Sequence, residues 1–269
     1  MKTLAKRLGL LISATCATLA LSAAAIAAPL YVSANGTMYV VDSTNGTISS
    51  SFTTGSAGPV AVGSTVKLFN GSQSHEYSLT GTPLGSTATD TGSGGFFDGT
   101  SDGVAYNYSM PNSSGSTTVY RYDLNWNNRT TLFTFSNSPE VFGLGIAYDL
   151  SDNTLWMAND VPGNDIKHFD LTGNLLGSFS FANGLGRPGA LAYDQSTDSL
   201  WFLTESGNNL LQFSKTGTQI NSFVVAGLSH WYSMEFANSG RGTDIPEPST
   251  LALAGLALLF VARRRKNAR

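Results

Sequence analysis

The side chains that could do chemistry are few, and their spacing is not that of a catalytic site. The three histidines, His75, His168 and His230, lie far apart and show no spacing typical of metal ligands. The sequence has no nucleophile elbow, no phosphate-binding loop and no helix-borne zinc motif. It therefore predicts no catalytic residues, no metal site and no cofactor.

Aspartates come closest to forming a site. The segment Asp98-Gly-Thr-Ser-Asp102-Gly103 loosely resembles a calcium loop, but the closing glutamate is missing, so a plain acidic turn is favoured. Asp149 and Asp152 recur as the pair Asp194 and Asp198 in an equivalent segment. Capping of tight turns explains both pairs better than paired catalytic carboxylates do.

These aspartate pairs belong to an internal repeat. Ala147, Tyr148, Asp149 and Trp156 each return 45 positions later, the last of them as Trp201. A period of roughly 40–50 residues in β-rich sequence is typical of propeller blades. Each unit holds four short apolar segments bounded by turn residues, and one such sheet buries too little alone, so the units must stack. The repeated tryptophans are predicted to pack between sheets.

The two ends of the repeat region complement each other. The N-terminal segments Leu30–Ser33, Gly36–Asp42 and Thr47–Thr53 lack a first strand, whereas Tyr232–Phe236 is a first strand without followers. We predict an all-β propeller of five blades, each of four antiparallel strands, with one blade shared between the two ends. A sixth blade would need an additional unit near Gly81–Gly115.

Residues 1–27 are predicted to be a signal peptide. Lys2, Lys6 and Arg7 precede the apolar stretch Leu8–Ala25, and small residues favour cleavage by signal peptidase after Ala27. The one cysteine, Cys16, lies within this segment, so the mature chain would contain no disulfide.

The mature domain is predicted to span residues 28–243 and is acidic. Residues 28–244 hold 17 Asp and Glu against 7 Lys and Arg, a net charge near −10. Such a domain should repel nucleic acid and anionic lipid surfaces, so neither is expected as a partner.

Residues 244–269 have a different composition. Pro246, Glu247 and Pro248 precede twelve apolar residues, Leu251–Ala262, and a basic end follows, consisting of Arg263, Arg264, Arg265 and Lys266. A twelve-residue helix would be about 18 Å long, which is short of the roughly 30 Å hydrocarbon core. The sequence predicts a short transmembrane helix, held in the membrane transiently, whose basic end acts as a stop-transfer signal.

These three features, in this order, closely resemble the PEP-CTERM sorting signal of Gram-negative bacteria. The one departure is Ile245, where the family usually has valine. The resemblance implies that an exosortase, a membrane cysteine transpeptidase, recognises Pro246, Glu247 and Pro248 and processes the tail. It also implies a location at the cell surface or in the extracellular matrix, because this signal is typical of bacteria that make exopolysaccharide and biofilm.

The leading hypothesis is therefore an exported, non-enzymatic propeller protein with exopolysaccharide as a possible partner. The alternatives are a calcium-dependent propeller hydrolase or lactonase and a glycan-binding module. Any ligand site is expected at the mouth of the central channel, where loops enter the first strands. The residues expected there are Glu140, Phe142, Arg187, His230 and Trp231, although ordinary loop residues are the simpler interpretation.

Overall fold

A computed structural model describes eight stretches of the chain, which are residues 28–70, 72–89, 96–111, 113–161, 165–181, 188–204, 208–228 and 233–237. These stretches contain nineteen β-strands in four hydrogen-bonded sheets. None of them forms a helix long and apolar enough to cross a membrane. The predicted signal peptide (1–27) and the predicted sorting tail (244–269) lie outside the described residues.

The strands form five antiparallel blades, so the predicted propeller and its blade number are confirmed. From the inner to the outer strand, blade 1 consists of β19 (Ser233–Phe236), β1 (Leu30–Ala34), β2 (Thr37–Asp42) and β3 (Thr47–Thr53), and blade 2 consists of β4 (Val60–Val62), β5 (Val66–Phe69), β6 (Gln73–Tyr77) and β7 (Pro83–Ala88). Blade 3 consists of β8 (Phe96–Ser101), β9 (Tyr106–Pro111), β10 (Ser113–Asp123) and the first part of β11 (Thr130–Asp149), and blade 4 consists of the rest of β11, β12 (Thr154–Val161), β13 (Asp165–Phe169) and β14 (Leu175–Ser180). Blade 5 consists of β15 (Pro188–Asp194), β16 (Ser199–Thr204), β17 (Asn209–Ser214) and β18 (Gln219–Val224).

The shared blade closes the ring as predicted. Strand β19 pairs antiparallel with β1, with Leu30 opposite Phe236 and Ser33 opposite Ser233. The strand from the C-terminal side thus supplies the inner strand that the N-terminal segment lacks. Closure of this kind leaves no sheet edge open at the junction between the two ends of the domain.

One strand departs from the expected pattern. Strand β11 runs without interruption from the outer edge of blade 3 to the inner edge of blade 4, where two separate strands and a loop were expected. Its first part pairs with β10 and its last part with β12. The backbone of Glu140 and Phe142 therefore belongs to a strand and not to the expected loop. Their place at the channel mouth stays a prediction.

The repeated positions form the core between blades. Trp156 and Trp201 are both buried, which confirms their predicted packing role. A Cβ on Gly145 would collide with the backbone oxygen of Gly189, so the inner strands of blades 4 and 5 approach too closely for a side chain there. Between blades 2 and 3, Trp126 stacks on Phe69 with ring centroids 5.6 Å apart.

The aspartates at the ends of the inner strands cap the turns that follow. Asp149 Oδ1 accepts a hydrogen bond from the Ser151 N–H at 3.0 Å, and Asp194 Oδ1 accepts one from the Ser196 N–H at 2.9 Å. This confirms the predicted capping role of the repeated aspartates.

Candidate functional site

The inner strands place one equivalent residue from each blade around the propeller axis. The strand register aligns these five residues, which are Pro59, Asp98, Gly145, Ala190 and Ser233. Four of them are small or compact, and only Asp98 carries a charged side chain. The ring therefore leaves room for a single carboxylate at the centre.

The Asp98 carboxylate collects backbone hydrogen bonds from four blades. Its Oδ1 atom accepts the N–H of Gly99 at 2.9 Å and that of Met234 at 3.2 Å. Its Oδ2 atom accepts the N–H of Ile146 at 3.0 Å and that of Leu191 at 2.8 Å. The four donors occupy the same position in the inner strands of blades 3, 1, 4 and 5, so one side chain ties these blades together.

Ser233 connects the remaining blade. Its hydroxyl donates to Asp98 Oδ1 at 2.6 Å and accepts the N–H of Val60, in blade 2, at 2.9 Å. All five inner strands are thus linked to Asp98, four directly and one through Ser233. Five donors surround the carboxylate, so the roughly four lone-pair positions of its two oxygens are filled.

Burial controls the ionisation of this group. Asp98 is 1% exposed, and loss of water around the charge raises its pKa to about 7. The hydrogen bonds from Leu191, Ser233, Ile146 and Gly99 favour the ionised form and limit that rise. The five donors hold the Asp98 carboxylate at the axis. Another group could reach these donors only by displacing the carboxylate.

The structure corrects the sequence-based interpretation of Asp98. This residue lies within β8 and not in a turn, so both the calcium-loop and the acidic-turn interpretations are wrong for it. Asp102 does cap a turn, because its Oδ1 accepts the N–H groups of Val104, Ala105 and Tyr106. One signal in the sequence could have identified Asp98: an acidic residue stands in an inner strand where the clear repeats have Gly145 and Ala190.

A second cluster of ionisable groups lies at the turn of blade 4. One ligand atom each from Asp149, Asp152 and His168 lies within 4.8 Å of the other two. The imidazole of His168 stacks on Trp156, with ring centroids 3.9 Å apart, and burial lowers its pKa although the two carboxylates oppose that change. The histidine spacing in the sequence did not predict this cluster.

Lys215 of blade 5 already supplies a cation to the same place. Its Nζ atom lies 2.7 Å from Asp149 Oδ2 and 2.6 Å from Asp198 Oδ1. Burial alone would raise the pKa of Asp149, but hydrogen bonds from Lys215, Ser151 and Trp156 hold it below the ordinary value. The arrangement is therefore an ion pair that joins blades 4 and 5, and a metal ion would have to compete with the lysine.

The channel-mouth residues expected from the sequence are not brought together by anything the structure describes. Arg187, His230 and Trp231 lie outside the described residues, as do the sorting residues Pro246–Pro248 and the basic cluster 263–266. For Glu140 and Phe142 the structure describes the backbone within β11.

Comparison with known proteins identifies the tail. The family described as the PEP-CTERM protein-sorting motif matches residues 244–266. The chain therefore carries a PEP-CTERM sorting motif behind a five-bladed propeller. This motif implies that the protein is exported, passes through the membrane and is processed by an exosortase. A search of curated proteins found no match to the sequence.

Solved structures resemble the propeller. A chain in the crystal structure of a nidogen/laminin complex is 13% identical with a TM-score of 0.53, and the match covers 78% of this chain and 98% of that chain. A protein of unknown function from Bacteroides caccae, with a crystal structure at 1.35 Å resolution, is 12% identical with a TM-score of 0.46, covering 76% of this chain and 77% of that chain. At 13% identity, the similarity to the chain of the nidogen/laminin complex concerns the fold alone.

Proposed function

We propose that this chain is a non-enzymatic propeller protein that is exported by a Gram-negative bacterium, released from its membrane tail and retained at the cell surface or in the extracellular matrix. The observation that carries the proposal is the sorting motif at residues 244–266, which follows the propeller directly. The basic cluster at the end of the chain would keep the segment from passing through the membrane during processing.

The hydrogen bonding of the residues at the propeller axis supports a non-enzymatic role. A metal-dependent propeller hydrolase needs several carboxylate or amide oxygens converging on the axis, with coordination positions open to substrate. Among the described residues that ring the axis, Asp98 supplies the carboxylate, and five N–H and O–H donors already surround it. This arrangement favours a structural role for the axis over a catalytic one.

The chemistry of the tail suggests where it is cut. Two prolines, Pro246 and Pro248, disfavour a regular helix and would keep this stretch extended and accessible at the membrane–water boundary. The apolar stretch Leu251–Ala262 that follows is too short to be a comfortable permanent anchor. We infer that the mature protein ends near Pro248 and lacks Leu251–Arg269.

Intact-mass analysis of protein from the native host tests this proposal. The expected mass is that of a chain that begins at Ala28 and ends near Pro248. A tail variant, Glu247→Gln, should shift the main species to one that retains Arg263–Arg269 and stays in the membrane fraction. Recovery of the unprocessed tail on the wild-type surface form would instead indicate an ordinary membrane anchor.

Fractionation of the same cells tests the location. The processed wild-type protein should sediment with exopolysaccharide and be released when the polysaccharide is digested. A processed protein found free in the medium would contradict matrix retention while leaving tail processing intact.

A further inference from the structure

A groove opens at the outer rim of the propeller, between blades 1 and 2. It has a volume of about 330 Å³, and its walls include Thr53 and Thr54 of blade 1 and His75, Tyr77, Pro83 and Ser86 of blade 2. Since one water occupies about 30 Å³ of the liquid, the groove has room for about eleven waters. It is therefore large enough to hold one sugar ring.

The strand register turns His75 and Ser86 toward this groove. The two residues stand directly opposite each other in β6 and β7, so their side chains lie on the same face of blade 2. Tyr77, two residues further along β6, lies on that face too. Its hydroxyl donates to the carbonyl oxygen of Thr54 in blade 1 at 3.0 Å. This face therefore looks onto blade 1, and the buried Tyr77 closes the groove at its base.

The hydrogen bonds of Asn70 fix the tautomer of His75. The side-chain oxygen of Asn70 accepts the N–H of Gln73 at 2.9 Å and that of Ser72 at 3.3 Å. The amide nitrogen is therefore the atom that meets His75 Nε2, at 3.0 Å. Because an amide nitrogen only donates, Nε2 is the acceptor and the proton of the neutral ring lies on Nδ1. No hydrogen bond within the described residues uses this Nδ1–H, so it is a donor available to a ligand.

Two hydroxyl groups add to the polar wall. Thr53 and Ser86 are both exposed, and neither hydroxyl is engaged by another group among the described residues. Each hydroxyl both donates and accepts, and neighbouring hydroxyl groups of a sugar do the same. Pro83 supplies an apolar surface beside them, which suits the C–H groups of a sugar ring.

The charges around the groove favour a neutral ligand over an anion. Glu76 follows His75 in the strand, so its side chain lies on the other face of blade 2. There its Oε1 atom accepts the hydroxyl of Thr65 at 2.7 Å and lies 3.9 Å from the ammonium nitrogen of Lys67. The groove side thus presents no carboxylate or ammonium group from these residues, and the acidic domain around it opposes the approach of an anion.

We propose that this groove binds one ring of a neutral polysaccharide. The groove lies at the outer rim, so a polymer chain can continue past it on either side. No hydrogen bond joins the Ser86 hydroxyl to His75, so this serine is not activated as a nucleophile and the groove binds the sugar without cleaving it. The inference rests on the proposed function, because it names the contact that holds the protein in the matrix.

Saturation-transfer NMR on protein recovered from the native host tests the site. Cellotetraose, maltotetraose and galactotetraose serve as neutral probes, and trigalacturonate serves as the charged probe. At least one neutral probe should receive saturation, with an affinity in the millimolar range. A signal from trigalacturonate alone would overturn the neutral class. No signal from any probe would mean a water-filled groove and would overturn the proposal.

Two variants locate the signal. Ser86→Tyr fills the groove, and His75→Phe keeps a ring but removes the N–H donor, so each should weaken binding at least about tenfold. Ser178 stands opposite Lys167 at the corresponding position of blade 4, so Ser178→Tyr is the matched control and should leave binding unchanged. Because both serines are exposed, both tyrosine variants should keep the wild-type melting temperature. Full binding by folded Ser86→Tyr would place the ligand elsewhere and overturn the proposal.

The site and the proposed function fail in different ways. A protein that is processed and retained in the matrix but binds none of the probes overturns this site alone. A protein that binds a neutral probe through Ser86 and His75 but is found free in the medium contradicts matrix retention and supports the site.

Discussion

Blade 3 buries two polar side chains whose surroundings are opposite. Asp98, at the propeller axis, has five hydrogen-bond donors around it, and they come from four blades. Asn107, at the boundary with blade 2, is equally buried, and within the described residues its amide has no partner. Because a buried polar group is costly unless it is hydrogen-bonded, the first arrangement stabilises the fold and the second costs stability.

The largest loss of stability is expected when the hydrogen-bonded carboxylate of Asp98 is removed. Asp98→Ala would leave four equivalent N–H groups around the axis without their acceptor and the hydroxyl of Ser233 without its main partner. We expect the free energy of unfolding to fall by about 4 kcal/mol. Chemical denaturation measures this loss. Asp102→Ala removes an aspartate of the same blade that caps a turn and should cost only about 1 kcal/mol. Equal losses in the two variants would contradict the central role of Asp98.

The ionisation of Asp98 should appear as a pH dependence of stability. Its pKa is about 7 in the folded protein and 3.8 for an ordinary aspartate, so the folded state holds the proton more tightly than the unfolded chain does. The stability that this raised pKa contributes is complete below about pH 4 and is lost as the pH rises to about 7. The free energy of unfolding falls by up to about 4 kcal/mol over this range.

The Asp98→Asn variant isolates this effect, because it lacks the titrating group. The difference in unfolding free energy between wild type and variant should shrink from pH 4 to pH 7 and then level off. A difference that stays constant over this range would mean that Asp98 keeps an ordinary pKa.

Lys215 provides a case between the two extremes, because its cation supplements the hydrogen bonds that Ser151 and Trp156 donate to a buried carboxylate. Lys215→Met keeps most of the apolar stem and removes the charge beside Asp149, which is fully buried. We expect a loss of about 2–3 kcal/mol, seen as a lower melting temperature. The matched control is Lys67→Met, whose ion pair with Glu76 is longer and more exposed, and it should cost at most about 1 kcal/mol. A Lys215→Met variant as stable as its control would contradict an ion pair that joins blades 4 and 5.

The smallest expected change in stability is a gain, and it is expected for the Asn107→Leu variant. Asn107→Leu removes an amide without partners and restores the residue type that the other blades carry at this position. We expect the free energy of unfolding to rise by about 1 kcal/mol. A loss of similar size would mean that the Asn107 amide stabilises the fold, and the contrast with Asp98 would then no longer hold.

The sequence predicted the fold better than it predicted the polar sites. The repeats around Trp156 and Trp201 and the unmatched strand before residue 237 were sufficient to predict five blades and a shared closing blade, because hydrophobic period and turn residues are local signals. The role of Asp98 could not be seen locally, since its partners Ile146 and Leu191 are 48 and 93 positions away. Blade 3 also repeats the pattern least clearly, so neither Asp98 nor Asn107 could be aligned with confidence to its counterparts.

Native-state hydrogen exchange tests most directly the claim that one carboxylate ties all five blades together. The amide protons of Val60, Gly99, Ile146, Leu191 and Met234 each come from a different blade and point to the same centre. We expect all five to exchange with one opening free energy, equal to that of global unfolding. Four of these amides donate to the Asp98 carboxylate, and the Val60 amide donates to the Ser233 hydroxyl that is itself bound to Asp98, so none can be freed without loosening this centre. Opening free energies that differ from blade to blade would contradict this account.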